Sequence, residues 1–201
     1  VFMCYINTTA AVKAECDVCV TSSNVYDIAE KIDNNYIYFL PDKLMGKNLI
    51  NELKRRNCHK TIRYWDGSCY VHEEYNPEMI DYVRLKHPNI SVLAHPECSP
   101  DIVDRADYTG STSQIINHVK DTKHDSYFLL TECGLTSRLQ TEIPNKKFVG
   151  TCTMCKYMKA NSLDNIEAVL KNPTEAQNIS IDTQTQQKAI HCIEKMFELA
   201  E

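Results

Sequence analysis

Short runs of β-branched and aromatic residues alternate with amphipathic runs along most of this chain. That rhythm restricts its fold more than any other feature. Phe2–Ile6, Val18–Thr21, Tyr36–Leu40 and Thr61–Trp65 read as strands, with helices over Ala10–Glu15, Val25–Ile32 and Lys43–Arg55 between them. In the second helix Val25, Ile28, Ala29 and Ile32 recur at helical spacing, and Asn24 is expected to cap it. Pro41-Asp42 opens the third. The rhythm then restarts. Pro77–Lys86, Pro100–Arg105, Ser111–Val119 and Leu135–Thr141 read as helices, and Ser91–Ala94, Tyr108–Thr109, Tyr127–Thr131 and Lys147–Val149 as strands. Consecutive strands joined through helices pair in parallel. The predicted class is therefore α/β, built from repeated three-layer α/β/α units with parallel sheets. Expected boundaries are 1–66 for one unit, 67–150 for a second, and 151–201 for a loop and helical tail.

The tail carries helices over Leu163–Leu170 and Gln184–Leu199, the latter capped by Asp182. Its apolar face includes Ala189, Ile190, Ile193, Met196 and Phe197. Lacking strands, the tail is expected to pack on something outside the two repeats. Val1 already lies within a strand and no initiating Met precedes it, so further residues are expected upstream.

A length of 201 residues buries a sizeable core without covalent staples. The net charge of −5 offers no electrostatic case for nucleic acid or an anionic membrane surface. No apolar run approaches the ~20 residues a membrane span needs. A cytoplasmic protein is expected. Ten cysteines are many for this length, and in a reduced chain thiols on loops point to metal or redox chemistry. Cys4, Cys58 and Cys192 read as small buried hydrophobes.

The reactive residues gather where strand-to-helix loops fall, the places where α/β proteins bind ligands. Cys69 follows a strand and a Gly67-Ser68 turn that would let a bound group approach the backbone, with His72 three residues on. His95-Pro96-Glu97 closes a strand and sets an imidazole beside a carboxylate, a pair suited to proton transfer. Gly110-Ser111-Thr112 and Thr21-Ser22-Ser23-Asn24 open helices with free N–H groups and hydroxyls, which suits an acidic ligand or simple capping. Tyr5 and Asn7 share one side of the first strand's end. Cys152 and Cys155 form one CxxC, open to zinc, an iron–sulfur cluster or a disulfide switch. Cys16 and Cys19 form another. The two pairs stand much further apart than the roughly 15–20 residues of a zinc ribbon. The Cys16 and Cys19 side chains are expected to diverge, one at a helix end and one in a strand.

Taken together the chain resembles quinolinate synthase, the iron–sulfur enzyme family of NAD biosynthesis. The resemblance rests on Tyr5-Ile6-Asn7, Val12-Lys13-Ala14-Glu15, Thr21-Ser22-Ser23-Asn24, Leu40-Pro41-Asp42, Gly67-Ser68-Cys69-Tyr70-Val71-His72, His95-Pro96-Glu97-Cys98, Gly110-Ser111-Thr112-Ser113-Gln114-Ile115, Thr131-Glu132 and Cys155-Lys156-Tyr157-Met158, in order along nearly the whole chain. It implies a pseudo-threefold arrangement of three α/β/α units, of which this chain resembles the second and third, with the first missing. It implies a [4Fe–4S] cluster on three cysteines that leaves one iron open as a Lewis acid. Cys69 and Cys155 match two ligands, Cys152 is an additional thiol, and the third ligand is expected upstream. Cys133, read at a strand end, is the one substitute within the chain.

The implied reaction condenses iminoaspartate with dihydroxyacetone phosphate to quinolinate, with L-aspartate oxidase as the functional link upstream. The resemblance places Tyr5, Ile6, Asn7, Ser22, His95, Pro96, Glu97, Ser111 and Thr112 against substrate. Glu97 is the proton-transfer residue, and His72 a proton shuttle or a support to the cluster. Without the missing unit an isolated chain is expected to be inactive. The competing reading is a non-catalytic α/β anion-binding module whose CxxC is a redox or zinc switch.

Overall fold

The computed structural model describes residues 1–150 and 153–201. Over the expected first unit the elements are β1 (Phe2–Tyr5), α1 (Ala10–Ala14), β2 (Val18–Val20), α2 (Val25–Lys31), β3 (Tyr36–Leu40), α3 (Lys43–Arg55) and β4 (Thr61–Tyr64). Over the second they are α4 (Tyr70–Glu73), α5 (Pro77–Lys86), β5 (Ser91–Ala94), α6 (Pro100–Arg105), β6 (Tyr108–Thr109), α7 (Thr112–Asp121), β7 (Ser126–Leu130), α8 (Cys133–Glu142) and β8 (Lys147–Gly150). The tail adds α9 (Lys156–Lys159), α10 (Leu163–Lys171), a 3₁₀ turn (Glu175–Gln177) and α11 (Thr183–Ala200).

Two four-stranded parallel sheets result, ordered β2-β1-β3-β4 and β6-β5-β7-β8. The orders are identical once each unit's strands are counted from its own first. The repeat suggested by the rhythm of the sequence is therefore a repeat of topology. In the second unit the pleat divides the core in two. Val92, Ala94, Phe128 and Leu130 face α5 and α6, while Leu93, Tyr127 and Leu129 face α7 and α8. That alternation makes the unit a three-layer α/β/α body. Gly46 on α3 lets the helix lie close on β4, since a Cβ there would meet Tyr64 Cβ at 2.8 Å.

The tail departs from expectation. Rather than covering something outside the repeats, α11 packs on α1, β2 and α2 of the first unit. Cys192 and Met196 enter the same buried cluster as Met3, Cys4, Cys16 and Cys19. Asp182 caps the helix as expected, accepting from the Thr185 N–H at 2.9 Å. Ile193 is half-buried against the cluster, while Ile190 and Phe197 stay exposed. Met196→Ala is therefore expected to cost about 2–5 kcal/mol through the cavity it leaves, and Phe197→Ser less than about 0.5 kcal/mol. Urea unfolding of the two variants checks the contrast.

The Cys16 and Cys19 side chains converge, contrary to the expectation of divergence. Cys4 pairs with Cys19 across the parallel strands, the Cys4 and Cys192 sulfurs lie 3.7 Å apart, and Cys16 and Cys19 are within hydrogen-bonding reach of Cys4. Cys4 and Cys192 are buried hydrophobes as expected, and Cys58 is half-buried at the cluster's edge. Cys133 opens α8 rather than ending a strand. Asn24 precedes α2 but makes no cap bond. Its Oδ1 accepts from the Thr21 N–H at 2.7 Å instead.

Candidate active site

Residues that follow the C-terminal ends of parallel strands converge between the two units. Tyr5 ends β1, Ser22 follows β2, Cys69 follows β4, and His95-Pro96-Glu97 follows β5. Parallel strands deliver their next residues to one side, so sheets that share that side build one site.

Glu97 is its centre. The carboxylate is buried, and its Oε2 lies 3.2 Å from His95 Nδ1, 3.4 Å from the Tyr5 hydroxyl that donates to it, and 3.8 Å from His72 Nδ1. Burial pushes the Glu97 carboxyl up, but His95, His72 and the Tyr5 hydroxyl outweigh it and hold the group below the usual carboxylate range. His95 Nδ1 also lies 3.3 Å from the Glu97 backbone N–H. One nitrogen cannot accept from that N–H and donate to the carboxylate at once. Proton gain by His95 therefore exchanges one bond for the other, which suits a group that moves protons. Burial and the Glu97 charge raise the Tyr5 hydroxyl well above its usual range, and the Ser22 hydroxyl sits within its hydrogen-bonding reach.

His72 stacks on His95 with ring centroids 4.9 Å apart. It is buried, and among the described residues neither ring nitrogen has a hydrogen-bond partner. Burial first and His95 second hold its pKa down to about 4, so the ring is neutral near pH 7. A buried imidazole with two orphaned nitrogens is a costly feature that a bound group would satisfy. Among the described residues Cys69, His72 and Glu97 form the one group of metal-ligating side chains whose ligand atoms all lie within 4.8 Å of one another.

Cys69 is not on an open loop. It stands at the N-cap of the short helix α4 without a side-chain cap bond, and its carbonyl accepts from the His72 and Glu73 N–H groups at 3.1 Å each. Its own N–H donates to buried Asp42 Oδ2 at 2.6 Å. A Cβ at Gly67 would meet Trp65 at 3.0 Å, so the glycine lets that indole pack close on the turn. Cys155 holds the matching N-cap position before α9, where its carbonyl accepts from the Lys159 N–H at 3.0 Å. The Tyr70 hydroxyl ties the two thiol-bearing turns together, donating to Met154 O at 3.1 Å and accepting from the Lys156 N–H at 2.5 Å. Cys152 lies outside the described residues.

The remaining expected residues are less engaged. Asn7 and Thr112 are exposed, and Ile6 is half-buried. The buried Ser111 hydroxyl accepts from the Gln114 N–H, so it is occupied in capping α7. A cleft of about 310 Å³ between the units is lined in part by Ser22, Pro96, Gly110, Arg55 and Arg56. Its arginines are already paired, Arg56 with Asp27, Glu30 and Glu52, and Arg55 with Glu52 and Asp104.

Two supporting residues carry no chemical signal in their local pattern, although Lys13 lies within one of the matching segments. Asn48 on α3 donates to Pro96 O and Cys98 O, both at 2.8 Å, and so anchors the Glu97 turn to the first unit. Buried Lys13 donates to Ile6 O at 2.8 Å and Thr8 O at 2.5 Å, holding the turn after Tyr5. Only a contact across 48 residues reveals the role of Asn48, and no local pattern encodes it. Asn48→Leu leaves two buried carbonyls unpaired. It is expected to cost about 1–3 kcal/mol, measurable as a lowered urea midpoint.

Comparison with known proteins fits this geometry. Residues 1–198 match the family described as Quinolinate synthetase A protein. The chain belongs to that family. The quinolinate synthase of Clostridium novyi (strain NT) is 39% identical over 198 residues, covering 98% of this chain and 64% of its own length. That of Clostridioides difficile (strain 630) is 39% identical over 201 residues, covering 99% and 64%. That of Sinorhizobium fredii (strain NBRC 101917 / NGR234) is 36% identical over 195 residues, covering 97% and 52%. The chain thus spans between 52% and 64% of the length of these relatives. Cys69, His72, Glu97, His95 and Tyr5 lie together in this chain. No described helix is long and apolar enough to cross a membrane.

Proposed function

We propose that this chain carries the catalytic centre of a quinolinate synthase, which condenses iminoaspartate with dihydroxyacetone phosphate to quinolinate with loss of phosphate and water. The observation that carries the proposal is the convergence of Tyr5, His95 and His72 on one Glu97 oxygen, beside the Cys69 thiol. Cys69 and Cys155 are two of the three proposed cysteine ligands of a [4Fe–4S] cluster, the third belonging to the part of the family's length that this chain does not span. Their fit rests on soft thiolates on two linked turns and on the orphaned His72 nitrogens beside them. Such a cluster, with one iron open, supplies a Lewis acid that polarises a bound substrate oxygen.

The protein side chains do the remaining work. Glu97 takes and returns protons during dehydration, and His95 exchanges its bond between the Glu97 backbone and carboxylate as the proton moves. Tyr5 and Ser22 donate to substrate oxygens from the strand ends of the first unit. Asn7, Ser111 and Thr112 lie near the rim and serve the acidic ends of the substrates. His72 is a neutral support against the cluster. Because iminoaspartate hydrolyses readily in water, an enzyme that oxidises aspartate must supply it, the proposed link to L-aspartate oxidase. Ten cysteines and an oxygen-sensitive cluster suit a reducing cytoplasm.

Anaerobic reconstitution of the full-length protein with iron and sulfide tests the proposal. The expected result is a brown protein with iron and sulfide in equal amounts that forms quinolinate from the two substrates. Zinc without iron, or loaded iron without quinolinate, would overturn it.

A further inference from the structure

The two thiol-bearing turns are built alike, and each is held by one carboxylate. Asp42 stands two residues after β3, and Glu132 two residues after β7. Those strands occupy the same place in their respective sheets. Asp42 caps α3, accepting from the Leu44 and Met45 N–H groups at 2.7 and 3.0 Å through Oδ1. Its second oxygen, Oδ2, accepts from the Cys69 N–H at 2.6 Å. Glu132 caps α8, accepting from the Gly134 N–H at 2.6 Å through Oε2, and its Oε1 accepts from the Cys155 N–H at 3.4 Å. Cys69 follows the end of β4 by five residues, and Cys155 follows the end of β8 by five. Each opens a four-residue helix, with backbone angles of φ −77°, ψ 113° and φ −77°, ψ 111°.

We infer that Asp42 and Glu132 are equivalent positioning residues, each fixing the backbone of one cluster-ligand cysteine to the end of a neighbouring strand. A helix cap needs only one oxygen. In both residues the second oxygen is turned away from the helix and onto the cysteine amide. Asp42 is 2% exposed, so its charge bears a desolvation cost that its N–H donors offset in part. Its three N–H donors clamp the start of α3 to the turn before α4. A thiolate ligand that must meet a metal within tenths of an ångström gains from a backbone that cannot drift. Geometry also ranks the two. The Cys69 bond at 2.6 Å is a short charge-assisted bond, whereas that of Cys155 at 3.4 Å is long.

This inference rests on the reading of Cys69 and Cys155 as cluster ligands, and its test separates the two. Asp42→Asn keeps an oxygen for the α3 cap but sets an amide NH₂ against the Cys69 N–H. Asp42→Ser keeps the cap and is too short to reach Cys69. In the reconstituted holoenzyme both variants are expected to lose iron to a ferrous chelator about 10- to 100-fold faster than wild type. Glu132→Gln is expected to do so only a few-fold faster. Thermal midpoints should stay close to wild type, because the caps remain. In the protein without metal, amide hydrogen exchange at Cys69 should accelerate at least tenfold in Asp42→Asn while exchange at Cys155 does not change. Wild-type iron release and wild-type Cys69 exchange in Asp42→Asn would overturn the positioning role while leaving the cluster reading intact. A wild-type protein that loads no iron would overturn the cluster reading and this role with it.

Discussion

Holoenzyme carrying Cys69→Ala is expected to emerge from anaerobic reconstitution colourless, with iron and sulfide near background. Cys69 occupies the tightest part of the site, its sulfur among the ligand atoms of His72 and Glu97. Alanine removes the thiolate but spares the Asp42 bond to the backbone N–H, so the turn itself should persist. The loss is then chemical rather than structural, and the far-ultraviolet spectrum and thermal midpoint should match wild type. Cys155→Ala is expected to behave in the same way. By contrast Cys4→Ala and Cys58→Ala should retain the full cluster, because those sulfurs lie in or beside the core of the first unit. Full iron and sulfide in Cys69→Ala would remove it from the ligand set.

Glu97→Gln is expected to retain the cluster yet lose on the order of 10²–10⁴ in the rate of quinolinate formation. The amide preserves the shape of the side chain and can still accept from the Tyr5 hydroxyl. It cannot take up a proton near neutral pH, and it takes the charge away from between His95 and His72. Iron content is the control, since Glu97 is not proposed as a ligand. A variant with normal iron and near-normal turnover would exclude Glu97 from proton transfer.

Much of this architecture was legible in the residues themselves. Tyr36–Leu40, Lys43–Arg55, Pro77–Lys86, Ser91–Ala94, Pro100–Arg105 and Tyr108–Thr109 form their elements over the expected spans. Hydrophobic period and the punctuation of Pro, Asn and Asp act within a few residues, so they can be read locally. The short helices α4 and α9 were not legible. Four residues hold no full amphipathic period, and their caps are cysteines. The fate of the tail was equally hidden. An apolar stripe on α11 declares that something covers it but does not say what. Packing on α1 and β2 answers that, and it explains why Cys16 and Cys19 turn inward toward Cys192.

The sequence by itself determined the α/β class, the repetition of units, and which residues carry reactive groups at strand ends. Those follow from side-chain period and chemistry, which each short stretch holds alone. Only the tertiary structure decided that Tyr5, His72 and His95 share one oxygen of Glu97, that Asn48 holds the Glu97 turn from across the unit boundary, and that Asp42 and Glu132 grip the two cysteines. Each of these partners is set by how two sheets and their loops come together. Distances of a few ångströms between residues up to 92 positions apart are written in packing and not in any local pattern.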